Sequence, residues 1–220
     1  MRFRLAFIPI VVAGTFAGYF AFHPGVAYAE PRIVGSATNS ILETASYTID
    51  KDHCSVYFEI THLGLSKVTG RFNSFSGKFH EDQSDLSKSN VEFSAQVDSI
   101  DTGVAARDAH LRTKDFFEVA KYPTLSFKST KVARSGSGFV VTGDLTMKDK
   151  TKSISIPFKR FGPMTLTVGD KSTRVGIVAE PITLRRSDFG VGGPFKMPDG
   201  TPGVSDDLTV RISFEGTKDK

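Results

Sequence analysis

Val91-Glu-Phe-Ser-Ala-Gln-Val97 alternates strictly: Val91, Phe93, Ala95 and Val97 fall on one side of an extended chain, and Glu92, Ser94 and Gln96 on the other. A two-residue period gives a strand one apolar face and one wet face, which an antiparallel sheet can bury on one side only. The same period recurs from Tyr47 almost to the C-terminus. Tyr47-Thr-Ile49 leads into Ser55 to His62, where Val56, Phe58 and Ile60 share a face, and Ser66 to Phe79 places Val68, Phe72, Phe75 and Phe79 among Gly70 and Gly77, a pattern that suits a curved or bulged strand pair. Further runs cover Thr124 to Val132, Gly138 to Met147, Ser153 to Arg160, Arg174 to Leu184 and Leu208 to Phe214. Turn residues such as Asp149-Lys-Thr-Lys152 separate them. These runs predict an all-β chain of about eight strands in mostly antiparallel order, a number that closes into a barrel with room for side chains or one small ligand.

A packed sandwich shares this periodicity. Two features favour a lined interior: the chain has no Trp, and 14 of its 19 Phe lie beyond residue 29, many at strand positions that share a face, where a ring brings no polar atom to satisfy. Ala95, Gly143 and Gly176 are small positions that suit either a cavity or tight packing. On the barrel reading, Phe58, Ile60, Phe72 and Phe79 line the first half of the wall. Phe93, Ala95, Val97 and Phe127 continue it, followed by Val141, Leu145, Ile156 and Phe158, with Ile177 and Phe189 completing the lining.

The first 29 residues read as an export signal. Arg2 and Arg4 precede an uncharged apolar run from Leu5 to Phe22, and Ala27-Tyr28-Ala29 offers the small-x-small site after which a signal peptidase cuts. The run approaches a spanning length, so an uncleaved anchor is the alternative; Pro24-Gly25, which breaks the helix just before the site, favours cleavage and a periplasmic chain with no stable membrane insertion. Residues 30–45 lack a sustained period and read as a mobile arm, leaving 46–216 as the domain. The leader holds two of the 28 basic residues and none of the 24 acidic ones, so the remainder is close to neutral with both signs mixed, unlike a nucleic-acid binder. The single Cys54 cannot form an internal disulfide; a reactive thiol is one reading, and beside His53 at a strand start an inert small hydrophobe is the plainer one.

Ser99 to Pro123 is a charged, helix-like insert in this strand pattern. Asp101 or Thr102 can cap a helix through Val104 to Leu111, and Asp115 can cap a short turn that Tyr122-Pro123 stops. Arg107, His110 and Arg112 are the candidates to meet a polar ligand head at the barrel opening; a solvated helix face tied to neighbouring strand ends is the plainer reading. Asp108 beside His110 raises an alternative, a small hydrolase or isomerase acting on a lipid-like substrate, although no nucleophile motif accompanies the pair. An interaction module with a filled core is a third reading. His53, His62, His80 and His110 have no metal-ligand spacing, and Gly190-Val-Gly-Gly193 lacks the Lys-Ser/Thr ending of a phosphate loop, so neither a metal nor a cofactor is expected. The long connection from Arg185 to Gly203 can flap over one barrel mouth.

A series of short motifs runs through the domain in order: Tyr47-Thr-Ile-Asp50 with His53, Thr61-His-Leu-Gly64, Val68-Thr-Gly-Arg-Phe72 with Phe75-Ser-Gly77, and Ser99-Ile-Asp-Thr-Gly103. It continues through Arg107-Asp-Ala-His-Leu-Arg112, Asp115-Phe-Phe117, Lys121-Tyr-Pro123, Thr142-Gly-Asp-Leu-Thr146 and Arg186-Ser-Asp-Phe-Gly190. In these motifs the chain resembles the YceI-like family of exported, lipocalin-like barrels described as polyisoprenoid-binding. Cys54, where members often carry Ser or Thr, and the Pro-Gly stretch after Phe189 depart from the pattern. The resemblance implies an eight-stranded antiparallel lipocalin-like barrel with a short helical insert. It also implies a bound isoprenoid or other long-chain amphiphile, such as a prenyl quinone, held without catalysis. Exposed strands or the long connection can support a homodimer.

Overall fold

The computed structural model describes residues 44–220. The proposed leader and residues 30–43 of the proposed arm lie outside the described residues. Twelve strands are present: β1 (Thr44–Ile49), β2 (Ser55–His62), β3 (Ser66–Phe72), β4 (Phe75–Asp82), β5 (Asn90–Gln96), β6 (Ile100–Asp101), β7 (Thr124–Ser135), β8 (Gly138–Met147), β9 (Lys150–Thr165), β10 (Thr173–Ala179), β11 (Ile182–Arg185) and β12 (Val204–Lys218). One α-helix, α1 (Ala105–Leu111), sits between β6 and β7.

The twelve strands make eight staves, because four staves are bent strands interrupted at one point. β1 and β2 are joined by a 3-10 turn at Lys51–His53, β3 and β4 by Asn73-Ser74, β5 and β6 by a 3-10 turn at Val97–Ser99, and β10 and β11 by Glu180-Pro181. Each stave pairs antiparallel with the next in sequence, and β12 returns to the first: its C-terminal half pairs with β1 at Ile49↔Gly216 and its middle with β2 at Phe58↔Val210. The result is a closed, up-and-down, eight-stranded antiparallel barrel with no free edge along its length.

Bends are needed because a wall this long must curve over its contents. At Gly70 the ring of Phe58 lies directly over the backbone, where any Cβ would collide with it, and at Gly143 a Cβ would strike the Phe127 ring and the Lys128 carbonyl. Gly143 is therefore a packing position, with an aromatic ring occupying the space a side chain would take. The strand runs are longer than the alternation alone indicated. β9 extends beyond Ser153 to Arg160 at both ends, and β1 begins at Thr44 rather than after the arm, because Ala45 is buried against Tyr47 and Ile49 and pairs with Glu81.

One end of the barrel is filled. Tyr47 and Phe79 stack with centroids 4.9 Å apart, and Ala45, Ile49 and Val175 complete the plug. Beside it the Arg160 guanidinium grips both oxygens of Glu81 at 2.8 Å, with both side chains largely buried. Burial pushes the Tyr47 hydroxyl above its ordinary pKa, with the Glu81 charge adding to the shift. The opposite end gathers the β2–β3 tip, the segment from Thr102 to Tyr122, the β8–β9 turn and the β11–β12 connection.

Candidate functional site

Between the plug and that opposite end lies a cavity of about 760 Å³, within the size range of about 300–1,000 Å³ typical of small-molecule sites. Its wall is apolar along the staves: Phe58, Ile60, Phe72, Phe79, Phe93 and Phe127 contribute, as do Val141, Leu145, Ile156, Phe158, Ile177 and Phe189. All of these were expected on the wall, and all but Phe189, which lies in the β11–β12 connection, sit at alternating strand positions. Ala95 and Val97 are not on the wall. Both are buried in a cluster with Phe72, Ile100 and Leu125, since the period of two fixes the face of a residue but not whether the layer in front of it is filled.

The polar lining is confined to the open end. His62 ends β2, Thr102 follows β6, Arg107 and His110 lie on α1, Asp115 follows it, Arg185 ends β11 and Arg186 begins the β11–β12 connection. The cavity thus has a greasy interior and a polar mouth. The connection closes part of this mouth with Phe189, which is buried, and with Pro194 and Phe195.

Two charged groups build the mouth and were not singled out for that role by sequence. Arg186 spreads its guanidinium over four carbonyls: Nε donates to Ser205 at 3.0 Å, Nη1 to Val191 at 3.0 Å and Gly193 at 3.3 Å, and Nη2 to Val204 at 3.4 Å. One side chain thereby satisfies a connection too irregular to satisfy itself. Lys148, largely buried at a positive φ in the β8–β9 turn, donates to the carbonyls of Phe116 at 2.9 Å and Gly190 at 3.0 Å and ties the two halves of the rim together. No local sequence signal marks it, although the Arg186-Ser-Asp-Phe-Gly190 motif marks the connection.

The helical insert differs from expectation in its polar contacts. Neither Asp101 nor Thr102 caps α1, whose N-cap is Val104 without a side-chain bond. Instead the buried Asp108 reaches back to accept from the Thr102 amide at 2.9 Å and its hydroxyl at 2.5 Å, while Arg107 donates to the Thr102 hydroxyl at 2.7 Å and carbonyl at 2.6 Å. Arg112 does not face the cavity: it donates to the carbonyls of Asp98 at 2.7 Å and Ile100 at 2.8 Å, holding the insert to the wall. His110 pairs with Asp115 at 3.3 Å and abuts Phe116 edge-on. Asp108 and His110 are therefore engaged with different partners, Asp108 with Thr102 and His110 with Asp115, and the Asp108–His110 pair is not assembled.

Among the described residues, one group of three side chains lies close enough to share a metal ion: Asp50, His53 and Glu215, with ligand atoms within 4.8 Å of one another. The Arg174 guanidinium already holds this place electrostatically, donating to Asp50 at 2.8 Å and Glu215 at 2.6 Å, with Asp170 at 3.0 Å on its other arm. Cys54 beside it receives the Glu215 amide at 3.0 Å, and burial pushes its thiol up to about 11.

The YceI-like domain model matches residues 47–216. A UPF0312 protein of Vibrio parahaemolyticus is 44% identical over 179 residues, covering 80% of this chain and 89% of that protein. Protein YceI of Escherichia coli is 36% identical over 181 residues, covering 80% and 88%. Among solved structures, BcnA of Burkholderia cenocepacia superposes with a TM-score of 0.66 at 21% identity, covering 76% of this chain and 98% of that one. A polyisoprenoid binding domain from Saccharophagus degradans gives 0.55 at 15%, covering 80% and 99%. The family match spans all but the first residues of β1 and the last of β12, and the chain belongs to the YceI-like family.

Proposed function

We propose that this protein is an exported, non-enzymatic carrier or store that holds an isoprenoid or related long-chain amphiphile, such as a prenyl quinone, inside its barrel. The observation that carries this reading is the segregation of the cavity: aromatic and aliphatic side chains throughout the interior, with polar side chains only at the mouth. A molecule that fits has a long hydrocarbon tail and one polar head. The resemblance of the fold to a domain described as polyisoprenoid-binding supports the same ligand class. The apparent leader supports export to the periplasm.

Burying a methylene is worth about 0.8 kcal/mol, so one five-carbon isoprene unit contributes roughly 3 to 4 kcal/mol before entropy losses. Tail length then dominates affinity, and Arg107 and His110 at the mouth are the groups placed to read the head. Titration with prenols of increasing length tests this reading. Affinity is expected to rise with each added unit and level off once the cavity is full; affinity independent of tail length contradicts it.

A further inference from the structure

Three separate chain segments bring an apolar side chain outward at the open end. Leu65 on the β2–β3 tip is 85% exposed, Phe195 in the β11–β12 connection 63%, and Val104 ahead of α1 47%. They belong to one rim. The Leu63 amide donates to the Gly203 carbonyl at 2.9 Å and the Phe195 ring lies against Gly203, which joins the tip to the connection. On the other side β3 pairs with β6, and the chain runs from β6 through Thr102 to Val104. Phe195 is also a wall residue of the cavity, so the outer apolar rim and the apolar interior form one continuous surface.

Each of the two most exposed groups is followed closely by an exposed lysine, as Leu65-Ser66-Lys67 and Phe195-Lys196. A lysine beside an apolar tip can reach a lipid phosphate while its neighbour enters the acyl boundary. Glu59 pairs with Lys67 at 3.4 Å, and Asp199 lies on the connection, so the net charge here is small and insertion outweighs long-range attraction.

We propose that the open end docks on a phospholipid bilayer, with Leu65 and Phe195 entering the acyl boundary and Lys67 and Lys196 meeting phosphates. The proposal rests on the cavity holding a bilayer-soluble tail: such a cargo resides in the membrane, and a docked mouth lets it pass without crossing water. Toward the opposite end Val168 at 76%, Met164 at 66% and Phe161 at 51% are exposed as well, but none of them lines the cavity, so that patch has no continuity with the interior.

The chain has no Trp, so Leu65→Trp and Val168→Trp each create a single fluorescent reporter. With vesicles of phosphatidylcholine and phosphatidylglycerol, Leu65→Trp emission is expected to move to shorter wavelength and to be quenched by brominated acyl chains, with Val168→Trp unchanged. In the double variant Leu65→Ser/Val104→Ser, the vesicle-bound fraction is expected to fall about tenfold or more, while uptake of a prenol from detergent micelles is unchanged. A Leu65→Trp signal that ignores vesicles, or one matched by Val168→Trp, overturns the docking surface. Absence of micelle uptake with the Leu65→Trp response intact sinks the cargo reading and leaves the docking surface standing.

Discussion

The rings of Phe93 on β5 and Phe214 on β12 lie 5.5 Å apart, although β4 and β1 separate their strands in the sheet. They meet across the interior. Phe75 on β4 completes the contact at 5.7 Å from Phe93 and 6.4 Å from Phe214. Phe93 and Phe214 line the cavity and both pack on the plug around Tyr47, so these two rings, with Ile49 and Phe79 of the plug, form the floor that sets how deep a ligand can reach.

Phe214→Ala removes part of that floor. Truncating a buried Phe costs roughly 3 to 5 kcal/mol, and the low end, about 3 kcal/mol, is expected because one face of this ring already borders open space. Urea unfolding measures the loss. The same variant is expected to favour longer prenols over shorter ones relative to the parent chain, whereas a residue of a solid core would show the stability loss alone.

Lys148→Met keeps the aliphatic stem and removes the ammonium that joins Phe116 to Gly190. A hydrogen bond from a charged donor is worth about 1.5 to 3 kcal/mol. The rim is expected to loosen, with stability falling by about 2 kcal/mol and a bound prenol leaving faster. Stopped-flow displacement of a fluorescent ligand reads the second effect, and an unchanged off-rate means the rim does not gate the cavity.

The staple between β1 and β2 is pH-dependent. Asp50 lies below its ordinary 3.8 because the His53 ring N–H donates to it, and His53 lies above its ordinary 6.5 because of the same contact. A depressed carboxyl stabilises the fold above its unfolded value and loses that contribution as pH falls through the folded one. A raised histidine stabilises below 6.5 and loses its contribution as pH rises past the folded value. The pair is therefore strongest between about pH 4 and 6.5. NMR titration should show His53 above 6.5, and Asp50→Asn should lower it, since the Asp50 contact is the largest cause of the rise.

Cys54 carries a thiol held at about 11 and packed on the Glu215 backbone. At pH 8 it is expected to react slowly with iodoacetamide in the native protein and readily in urea, because the thiolate is the nucleophile. Equal rates in the two states contradict the packing described.

Sequence legibility follows the physics of each feature. Strand faces were legible because the period of two holds within each regular run, and it is interrupted only where a bulge inserts a residue, as between Ser129 and Lys131 in β7, so most of the expected wall residues surround the cavity. The bends at Asn73-Ser74 and Glu180-Pro181 were not, since short irregular joints look like ordinary turns. Charged residues on the insert were the least legible. Asp108, Arg107 and Arg112 show the same pattern whether they meet a ligand, solvent or backbone carbonyls, and the fold gives Asp108 and Arg112 to the backbone and Thr102. Lys148 gave no signal because its two partners lie 32 and 42 residues away.

Native mass spectrometry of the protein purified without added lipid or detergent tests the central claim most directly. A carrier with this cavity is expected to bring an apolar passenger with it, seen as a mass above that of the chain and recovered in an organic extract as a prenyl-tailed molecule. A bare chain mass, an empty extract and no uptake of prenols from micelles would contradict the account.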